Sequence, residues 1–443
     1  MIFFSFFGFK QNRYLKRLKE LSKKITDFSE WSINSKKINR RQFLNRSFLI
    51  TAGISLAACS DFSVESNNDL PDTSVSTKKI GIVGAGLSGL VAGYELTMSG
   101  YDVIILEANN RIGGRVLTVR SPFTDGLFSE AGAARIPPDH NYTLKYADLF
   151  GLTLDPFYPD SNYFVNYSNG NRTKISANSF LNDKPWPGSV NRKEYVKIRG
   201  GSEKLPLAFS KNLAEKIHLN SPVTFIEQNE NGATVHITNG EQFAADYVLV
   251  TVPLPVLKKI NFSPSLSSEK LEAVNGGYHY TDSTRVFIQF AKRFWESEEL
   301  NGWAITDWPE EIWHQTIDQP GNKGILLSYL SGSRAKEVDK LSESDRVENV
   351  LNRWNNIFPG ARDNIEFGFS HSWAQNEWSG SAYASPTSFQ KERLFSHILK
   401  PEGRIHFAGE HISQYNGWMQ GALASGLRAT NEVLEAIKAN SIS

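Results

Sequence analysis

A glycine-rich turn between two apolar segments constrains the fold of this 443-residue chain more than any other feature. The sequence predicts a short buried strand at Lys79–Val83, a turn at Gly84–Gly89 and a helix that runs to Ser99. A second apolar strand, Asp102–Leu106, follows and ends at an acidic residue, Glu107. This order of strand, glycine turn, helix, strand and acid is typical of a βαβ unit that binds a dinucleotide. We therefore predict an α/β domain built on a parallel sheet.

The spacing of the three glycines gives each one a separate role. Gly84 permits the tight turn, Gly86 lets the backbone approach a pyrophosphate, and Gly89 lets the helix pack closely on the strand. The free N–H groups at the start of the helix point at the phosphates. Glu107 follows Gly89 by 18 residues, which is where an acid accepts hydrogen bonds from ribose hydroxyls.

The distribution of charge argues against a nucleic-acid partner. The chain carries 48 Lys and Arg against 47 Asp and Glu, but residues 1–58 alone hold 12 of the basic residues and three acids. The remainder therefore has 36 basic and 44 acidic residues, a net charge of −8. An acidic body repels the phosphate backbone of DNA and RNA.

The basic N-terminal region predicts export and a lipid anchor. Asn39–Asn45 resembles a twin-arginine signal, and the apolar run behind it is too short to cross a bilayer as a helix. That run ends in Leu56–Cys59, which resembles a lipobox whose cysteine is lipidated, and Cys59 is the only cysteine of the chain. We expect an export signal over 1–59, a flexible tether over 60–77, and a protein anchored to the membrane on its extracytoplasmic side.

Further segments resemble motifs of the flavin-containing amine oxidase family. In chain order they are Arg111–Arg115, Arg199–Ser202, Ser221–Val223, Asp246–Pro253, Phe407–His411 and Gly417–Ala422. The resemblance implies a two-domain, FAD-binding, Rossmann-like fold of the GR2 type, with an interleaved α+β substrate domain that carries a mixed sheet. It places the FAD domain in 78–140, 196–260 and 395–440, and the substrate domain in 141–195 and 261–394.

The resemblance also implies how FAD is held. Glu410 would bond the ribityl chain, and the helix that begins near Trp418 would direct its positive end at the flavin N1 and O2. Ala382 occupies the place where monoamine oxidases have a flavin-bound cysteine, so the FAD is expected to be non-covalent. The expected cofactor-binding residues are Gly84, Ala85, Gly86, Ser88, Gly89, Glu107, Ala108, Arg111, Gly113, Gly114, Arg115, Gly132, Ala133, Ala134, Arg135, Val223, Gly409, Glu410, Gly417, Trp418 and Met419.

Arg135 separates two branches of the family. It lies in the small-residue stretch Glu130–Pro137, which monoamine and polyamine oxidases continue without an arginine. L-amino acid oxidases have an arginine here that binds the substrate carboxylate, and a planar guanidinium suits that task because it donates two parallel hydrogen bonds. An unrelated ion pair of Arg135 is the alternative.

Aromatic residues predict the rest of the substrate site. The resemblance implies that Tyr383 and Trp418 face each other across the substrate amine, next to Gly417, and that Trp373 and Trp378 line the same pocket. Aromatic walls of this kind exclude water from the amine. The scattered histidines form no convincing catalytic or metal-binding set.

The implied reaction oxidises the Cα–N bond of an L-amino acid. Hydride would pass from Cα to flavin N5, the imine would hydrolyse to a keto acid and ammonia, and O2 would become hydrogen peroxide. The open alternatives are a monoamine or polyamine oxidase, an amino-acid dehydrogenase that passes electrons to a membrane acceptor, and a non-catalytic flavoprotein. A homodimer is also left open.

Two departures from the family pattern bear on this expectation. Arg285 replaces the lysine that the family bonds through water to flavin N5, so we count it with Arg135, Tyr383 and Trp418 as a candidate catalytic residue. The segment Pro156–Tyr195 is short and rich in Asn, Ser and Pro, which predicts a loop-rich lid and a more open mouth.

Overall fold

The computed structural model of the chain describes residues 77–186, 188–307 and 310–440. The predicted export signal, including Cys59, and the predicted tether apart from Thr77 lie outside the described residues. The strands are β1 Lys79–Val83, β2 Asp102–Leu106, β3 Thr118–Val119, β4 Ser129–Glu130, β5 Leu154–Pro156, β6 Tyr163–Ser168, β7 Asn171–Ser176, β8 Val196–Ile198, β9 Ile217–His218, β10 Val223–Gln228, β11 Ala233–Ile237, β12 Gln242–Ala245, β13 Tyr247–Val250, β14 Asn261–Ser263, β15 Tyr280–Thr281, β16 Ser283–Phe290, β17 Leu300–Thr306, β18 Glu310–His314, β19 Gly324–Ser331, β20 Ile365–Ser372, β21 Tyr383–Ala384 and β22 Ile405–Phe407.

The helices range from single turns to a 22-residue segment at the C-terminus. They are α1 Leu87–Met98, α2 Asn141–Leu149, α3 Ala177–Asn182, α4 Lys204–Ser210, α5 Leu254–Leu257, α6 Ser268–Glu272, α7 Ser333–Val338, α8 Glu343–Ile357, α9 Ala361–Asn364, α10 Ser388–Leu399 and α11 Met419–Asn440. No helix among the described residues is both long enough and apolar enough to cross a membrane.

The predicted parallel sheet has five strands in the order β22–β13–β1–β2–β9. All four pairings are parallel, with Ile80 opposite Tyr247 on one side of β1 and opposite Val103 on the other. The four residues of β13 are all buried, because helices cover one face of this sheet and the four-stranded sheet β12–β11–β10–β14 packs on the other. The predicted α/β class is confirmed, and the glycine turn lies at the carboxyl end of the central strand.

A second, mixed sheet has seven strands in the order β20–β16–β19–β18–β17–β6–β7. Its pairings are antiparallel except for the parallel pair of β17 and β6. All eight residues of β16 are buried, because this strand lies inside the sheet with α8 packed against it. The strands come from 163–176 and 283–372, within the segments expected for the substrate domain, whereas the domain boundaries themselves stay a prediction.

The expectation of a loop-rich segment at Pro156–Tyr195 holds for only half of the segment. The hairpin β6–β7 and the short helix α3 together cover Tyr163–Asn182, which is 20 of its 40 residues. The hairpin turns at Asn169 and Gly170, whose φ angles of 51° and 77° match the two-residue turn that Asn-Gly favours. Phe164 of β6 is buried and stacks on Phe180 of α3, with ring centroids 3.7 Å apart. This contact attaches the helix to the sheet.

Candidate active site

The glycine turn after β1 is shaped by contacts that exclude a side chain. Gly84 has a φ of 103°, and a Cβ on Gly89 would lie 2.0 Å from the carbonyl oxygen of Gly84. Gly86 precedes α1, and a Cβ there would meet no atom within 4 Å, so its backbone faces open space. The hydroxyl of Ser88 is buried and has no hydrogen-bond partner in the part of the chain that the structure describes. The first turn of α1 thus presents an unpaired hydroxyl and free N–H groups, which suit a diphosphate.

Glu107 is held directly after β2 by two backbone N–H groups. Ala85 donates to its Oε2 at 2.7 Å and Asn109 donates to its Oε1 at 2.9 Å. Burial raises the pKa of Glu107, although both N–H donors favour the charged form. The carboxylate is therefore fixed in place, and each oxygen keeps a second lone pair for a ribose hydroxyl.

An ion pair joins the segment Arg111–Arg115 to the segment Phe407–His411. Arg115 Nη1 donates to Glu410 Oε1 at 2.8 Å and to the carbonyl oxygen of Ala382 at 2.9 Å. Glu410 also accepts from the backbone N–H groups of Ala384 at 3.0 Å and Gly417 at 2.7 Å. Three segments that are far apart in the sequence are therefore fixed around one carboxylate.

One cavity of about 490 Å³ contains almost all of the expected site residues. Those that line it are Gly84, Gly86, Ser88, Glu107, Ala108, Arg111, Gly113, Gly114, Arg115, Gly132, Ala133, Ala134, Arg135, Val223, Arg285, Trp373, Trp378, Tyr383, Gly409, Glu410, Gly417, Trp418 and Met419. Ala85 and Gly89 do not line it, because the N–H of Ala85 faces Glu107 and Gly89 packs against the turn. The glycine turn, the fixed acid and the unpaired hydroxyl fit a dinucleotide flavin, while the assignment of each residue stays a prediction.

Three neighbouring strands of the mixed sheet place polar side chains in one row on the cavity wall. Arg285 of β16 lies opposite Tyr329 of β19, which in turn lies opposite Glu311 of β18. The Arg285 guanidinium lies 4.8 Å from the Tyr329 ring centroid, and its Nη1 donates to the carbonyl oxygen of Glu130 at 2.5 Å. Burial lowers the pKa of Arg285. Arg285 is thus fixed by a ring and a carbonyl oxygen.

Arg135 lines the same cavity and forms an ion pair there. Its Nη1 donates to Glu311 Oε2 at 3.2 Å and to the Tyr158 hydroxyl at 3.3 Å. The guanidinium carbon lies 4.9 Å from the Trp313 ring centroid and 5.8 Å from that of Trp186. Burial acts to lower the pKa of Arg135, but the Glu311 carboxylate together with Tyr158 and Tyr329 outweighs it, and the pKa lies above its ordinary value. The predicted clamp is therefore in the cavity and already has one carboxylate partner.

The two residues predicted to enclose the amine both border this cavity. A Cβ on Gly417 would lie 3.2 Å from the Tyr383 ring, so a glycine is needed for this close approach. Burial raises the pKa of Tyr383, which keeps its hydroxyl neutral. Trp418 makes an edge-to-face contact with His140, with ring centroids 4.9 Å apart.

Trp373 and Trp378 also line the cavity. Trp373 Nε1 donates to the carbonyl oxygen of Ala131 at 2.8 Å, which attaches this ring to the small-residue stretch. The ammonium of Lys259 lies 4.4 Å from the Trp378 ring centroid, and Lys259 also lines the cavity. Lys259 was not among the site residues predicted from the sequence.

Several other lining residues were not predicted, and those that contact or neighbour the two arginines are Glu311, Trp313, Tyr329 and Trp186. Glu311 and Trp313 are two residues apart on β18, and because side chains alternate along a strand they share a face. That spacing is visible in the sequence, but only the fold shows that this face borders the cavity.

Comparison with known proteins identifies the family. The family profile described as flavin-containing amine oxidoreductase matches residues 87–194 and 183–434. The chain is 30% identical over 453 aligned residues to YobN of Bacillus subtilis (strain 168). The alignment covers 80% of this chain and 94% of that protein. It is 26% identical over 472 residues to the L-amino-acid oxidase of Sistrurus catenatus edwardsii, covering 85% of this chain and 90% of the relative.

Solved structures share the fold. Putrescine oxidase bound to putrescine matches with a TM-score of 0.70 and 20% identity, over 81% of this chain and 99% of that one. Cyclohexylamine oxidase from Brevibacterium oxydans IH-35A matches with a TM-score of 0.70 and 17% identity, over 82% of this chain and all of that one. The profile match, the cavity and the fold agree, and the chain belongs to the flavin-containing amine oxidoreductase family.

Proposed function

We propose that this protein is an FAD-dependent L-amino acid oxidase that forms a keto acid, ammonia and hydrogen peroxide. The observation that carries the proposal is that the Arg135 guanidinium has two nitrogen atoms without an acceptor among the described residues. Its Nη1 donates to Glu311 and Tyr158, whereas Nε and Nη2 have no acceptor among the residues that the structure describes. These two groups can donate parallel hydrogen bonds to the α-carboxylate of a substrate. Relatives named as L-amino-acid oxidases, at 25–26% identity, support this assignment.

Different cavity residues would bind the carboxylate and the amine of the substrate. Arg135 would hold the carboxylate and so fix the orientation of Cα. Tyr383 and Trp418 would border the amine and exclude water from it. Because the Tyr383 hydroxyl stays protonated, this side of the cavity adds no negative charge that would stabilise an ammonium. Bound FAD supplies the two-electron acceptor.

We further propose that the FAD is non-covalent and that the protein is exported and lipid-anchored. Ala382, at the position where a cysteine would bond the flavin, lines the cavity, and the only cysteine of the chain is Cys59. The export signal and the anchor rest on the sequence of residues 1–59 alone.

An amine oxidase is a second candidate, because Glu311 already neutralises Arg135. A site that binds simple amines needs no free arginine, and the Arg135–Glu311 pair would then be structural. An amino-acid dehydrogenase is favoured by the Arg285 side chain, which replaces the lysine typical of oxidases.

Anaerobic flavin reduction tests these candidates. The FAD-loaded chain is mixed with each L-amino acid and with amines that lack a carboxylate, and the flavin absorbance is followed. We expect reduction by L-amino acids and a loss of about a hundredfold in kcat/KM in Arg135→Ala. Arg120→Ala, which removes an exposed arginine paired with Glu203, should leave kcat/KM unchanged. Reduction by simple amines alone would contradict the proposal.

A further inference from the structure

Three carboxylates line the cavity in the described part of the chain, and one of them has a free oxygen. Both oxygens of Glu107 and both oxygens of Glu410 accept hydrogen bonds from the protein. Glu311 accepts from Arg135 and from Trp313 Nε1, at 3.2 and 2.7 Å, through the same oxygen, Oε2. Its Oε1 has no partner among the described residues, and the side chain is 37% exposed.

The surroundings of Glu311 suit a cation. The faces of Trp313 and Trp186 already attract the Arg135 guanidinium, and such aromatic faces attract ammonium and guanidinium groups in general. Arg285, another cation of the wall, lies two strands away in the sheet and donates to a backbone carbonyl oxygen, so its electrostatic interaction with Glu311 leaves Oε1 without a hydrogen-bond partner among the described residues. A second substrate carboxylate at this place would meet the like charge of Glu311, whereas a cation would form a charge-assisted hydrogen bond.

We propose that Glu311 determines specificity by binding the side-chain cation of a basic L-amino acid through Oε1, while Arg135 binds the α-carboxylate through Nε and Nη2. The inference rests on the proposed function and names its substrate class: lysine, ornithine or arginine. Glu311 does not enter the oxidation itself. Discrimination by charge works both ways here, because the residue attracts basic side chains and repels acidic ones.

The test uses three compounds that share a carbon chain. L-lysine carries both charged groups, L-norleucine lacks the side-chain ammonium, and cadaverine lacks the carboxylate. With the FAD-loaded full chain, we expect kcat/KM for L-lysine to exceed that for L-norleucine at least tenfold. Glu311→Gln should lower this ratio at least tenfold, because the charged contact to the side-chain cation is lost. The variant also loses the charge that pairs with Arg135, which affects both amino acids alike, so the ratio of the two kcat/KM values is the readout. The flavin spectrum reports whether the variant is folded and loaded.

A matched control removes a carboxylate outside the cavity. Asp318→Asn takes one charge from an ion pair with Lys197 and should leave the lysine-to-norleucine ratio unchanged. An equal rise in kcat/KM for both amino acids in Glu311→Gln would show that Glu311 only competes for Arg135, and would overturn the inference while the proposed function stands. Flavin reduction by cadaverine alone would instead overturn the proposed function.

Discussion

Arg135 and Arg285 lie over the same indole ring, with guanidinium carbons 4.9 and 5.1 Å from the ring centroid of Trp313. Two buried guanidinium groups repel each other, and the face of an aromatic ring offsets part of that repulsion. Trp313 also donates its Nε1–H to Glu311 at 2.7 Å. One side chain on β18 therefore contacts both arginines and the Glu311 carboxylate.

Replacing Trp313 by leucine should disturb Arg135, Arg285 and Glu311 together. Each desolvated cation–π contact is worth about 2 kcal/mol, so Trp313→Leu should lower kcat/KM for L-amino acids at least tenfold and reduce thermal stability. Trp313→Phe keeps an aromatic face and loses only the N–H, and it should retain most of the activity. Steady-state kinetics and thermal denaturation of both variants check this. Equal losses in the two would show that the N–H, not the ring, holds the site.

The sequence predicted the half of the site that backbone geometry determines. Gly84, Gly86 and Glu107 follow from fixed spacing within one βαβ unit, so a local pattern was sufficient. Glu311 and Trp313 could not be found in this way. Their place beside Arg135 depends on how the mixed sheet packs against the stretch that carries Arg135, which brings together residues 176 positions apart.

The hairpin β6–β7 was missed for a different reason. The composition of Pro156–Tyr195 is typical of loops, but the dipeptide Asn169-Gly170 was a local signal for a tight hairpin turn. Strand β7 contains only one apolar residue, because it is an edge strand and largely exposed. Edge strands need no continuous apolar pattern, so composition alone misassigned them.

Arg285→Lys should change the reaction with oxygen more than the oxidation of substrate. Arg285 is fixed to the carbonyl oxygen of Glu130 and to the Tyr329 ring, whereas a lysine ammonium is compact and can bond a water molecule. We expect the reduced variant to react with O2 at least tenfold faster than the wild type, with anaerobic reduction changed less. Stopped-flow absorbance measures both half-reactions. A wild-type protein that reacts with O2 as fast as Arg285→Lys would contradict this role of Arg285 and remove the support for the dehydrogenase alternative.

Glu410→Gln should weaken both the fold and flavin retention. The Glu410 side chain is 8% exposed and pairs with Arg115, so the variant leaves a largely buried arginine without its counter-charge. Loss of one partner of a buried pair costs about 3 kcal/mol. Flavin content after gel filtration and the Tm of the apo and FAD-loaded forms check the expectation.

An exposed ion pair provides the control for that variant. Arg120 and Glu203 are joined by a 2.7 Å contact at side-chain exposures of 49% and 28%. Because solvent screens such a pair, Glu203→Gln should cost less than about 1 kcal/mol and leave the flavin content unchanged. Similar losses of stability and flavin content in Glu203→Gln and Glu410→Gln would mean that burial does not distinguish the two ion pairs.

Glu130 should make the stability of the protein fall as the pH rises toward neutrality. Burial raises the pKa of Glu130 to about 7 from 4.5, although Ser202 N–H and the Thr118 hydroxyl donate to its carboxylate. Between those two pKa values the unfolded chain is ionised and the folded chain keeps the proton. The folded state therefore loses stability across pH 4.5–7, by about 3 kcal/mol in the limit of the full shift.

Glu130→Gln removes this titration while keeping an acceptor for the Ser202 N–H. Denaturation by urea at pH 5 and pH 8 measures the effect for the FAD-loaded protein. The wild type should lose more stability than the variant between these two values, by up to about 3 kcal/mol, because the variant has no proton to release. Equal pH dependence in the two proteins would mean that Glu130 is already ionised in the folded state at pH 5, with the charge balanced by Arg285.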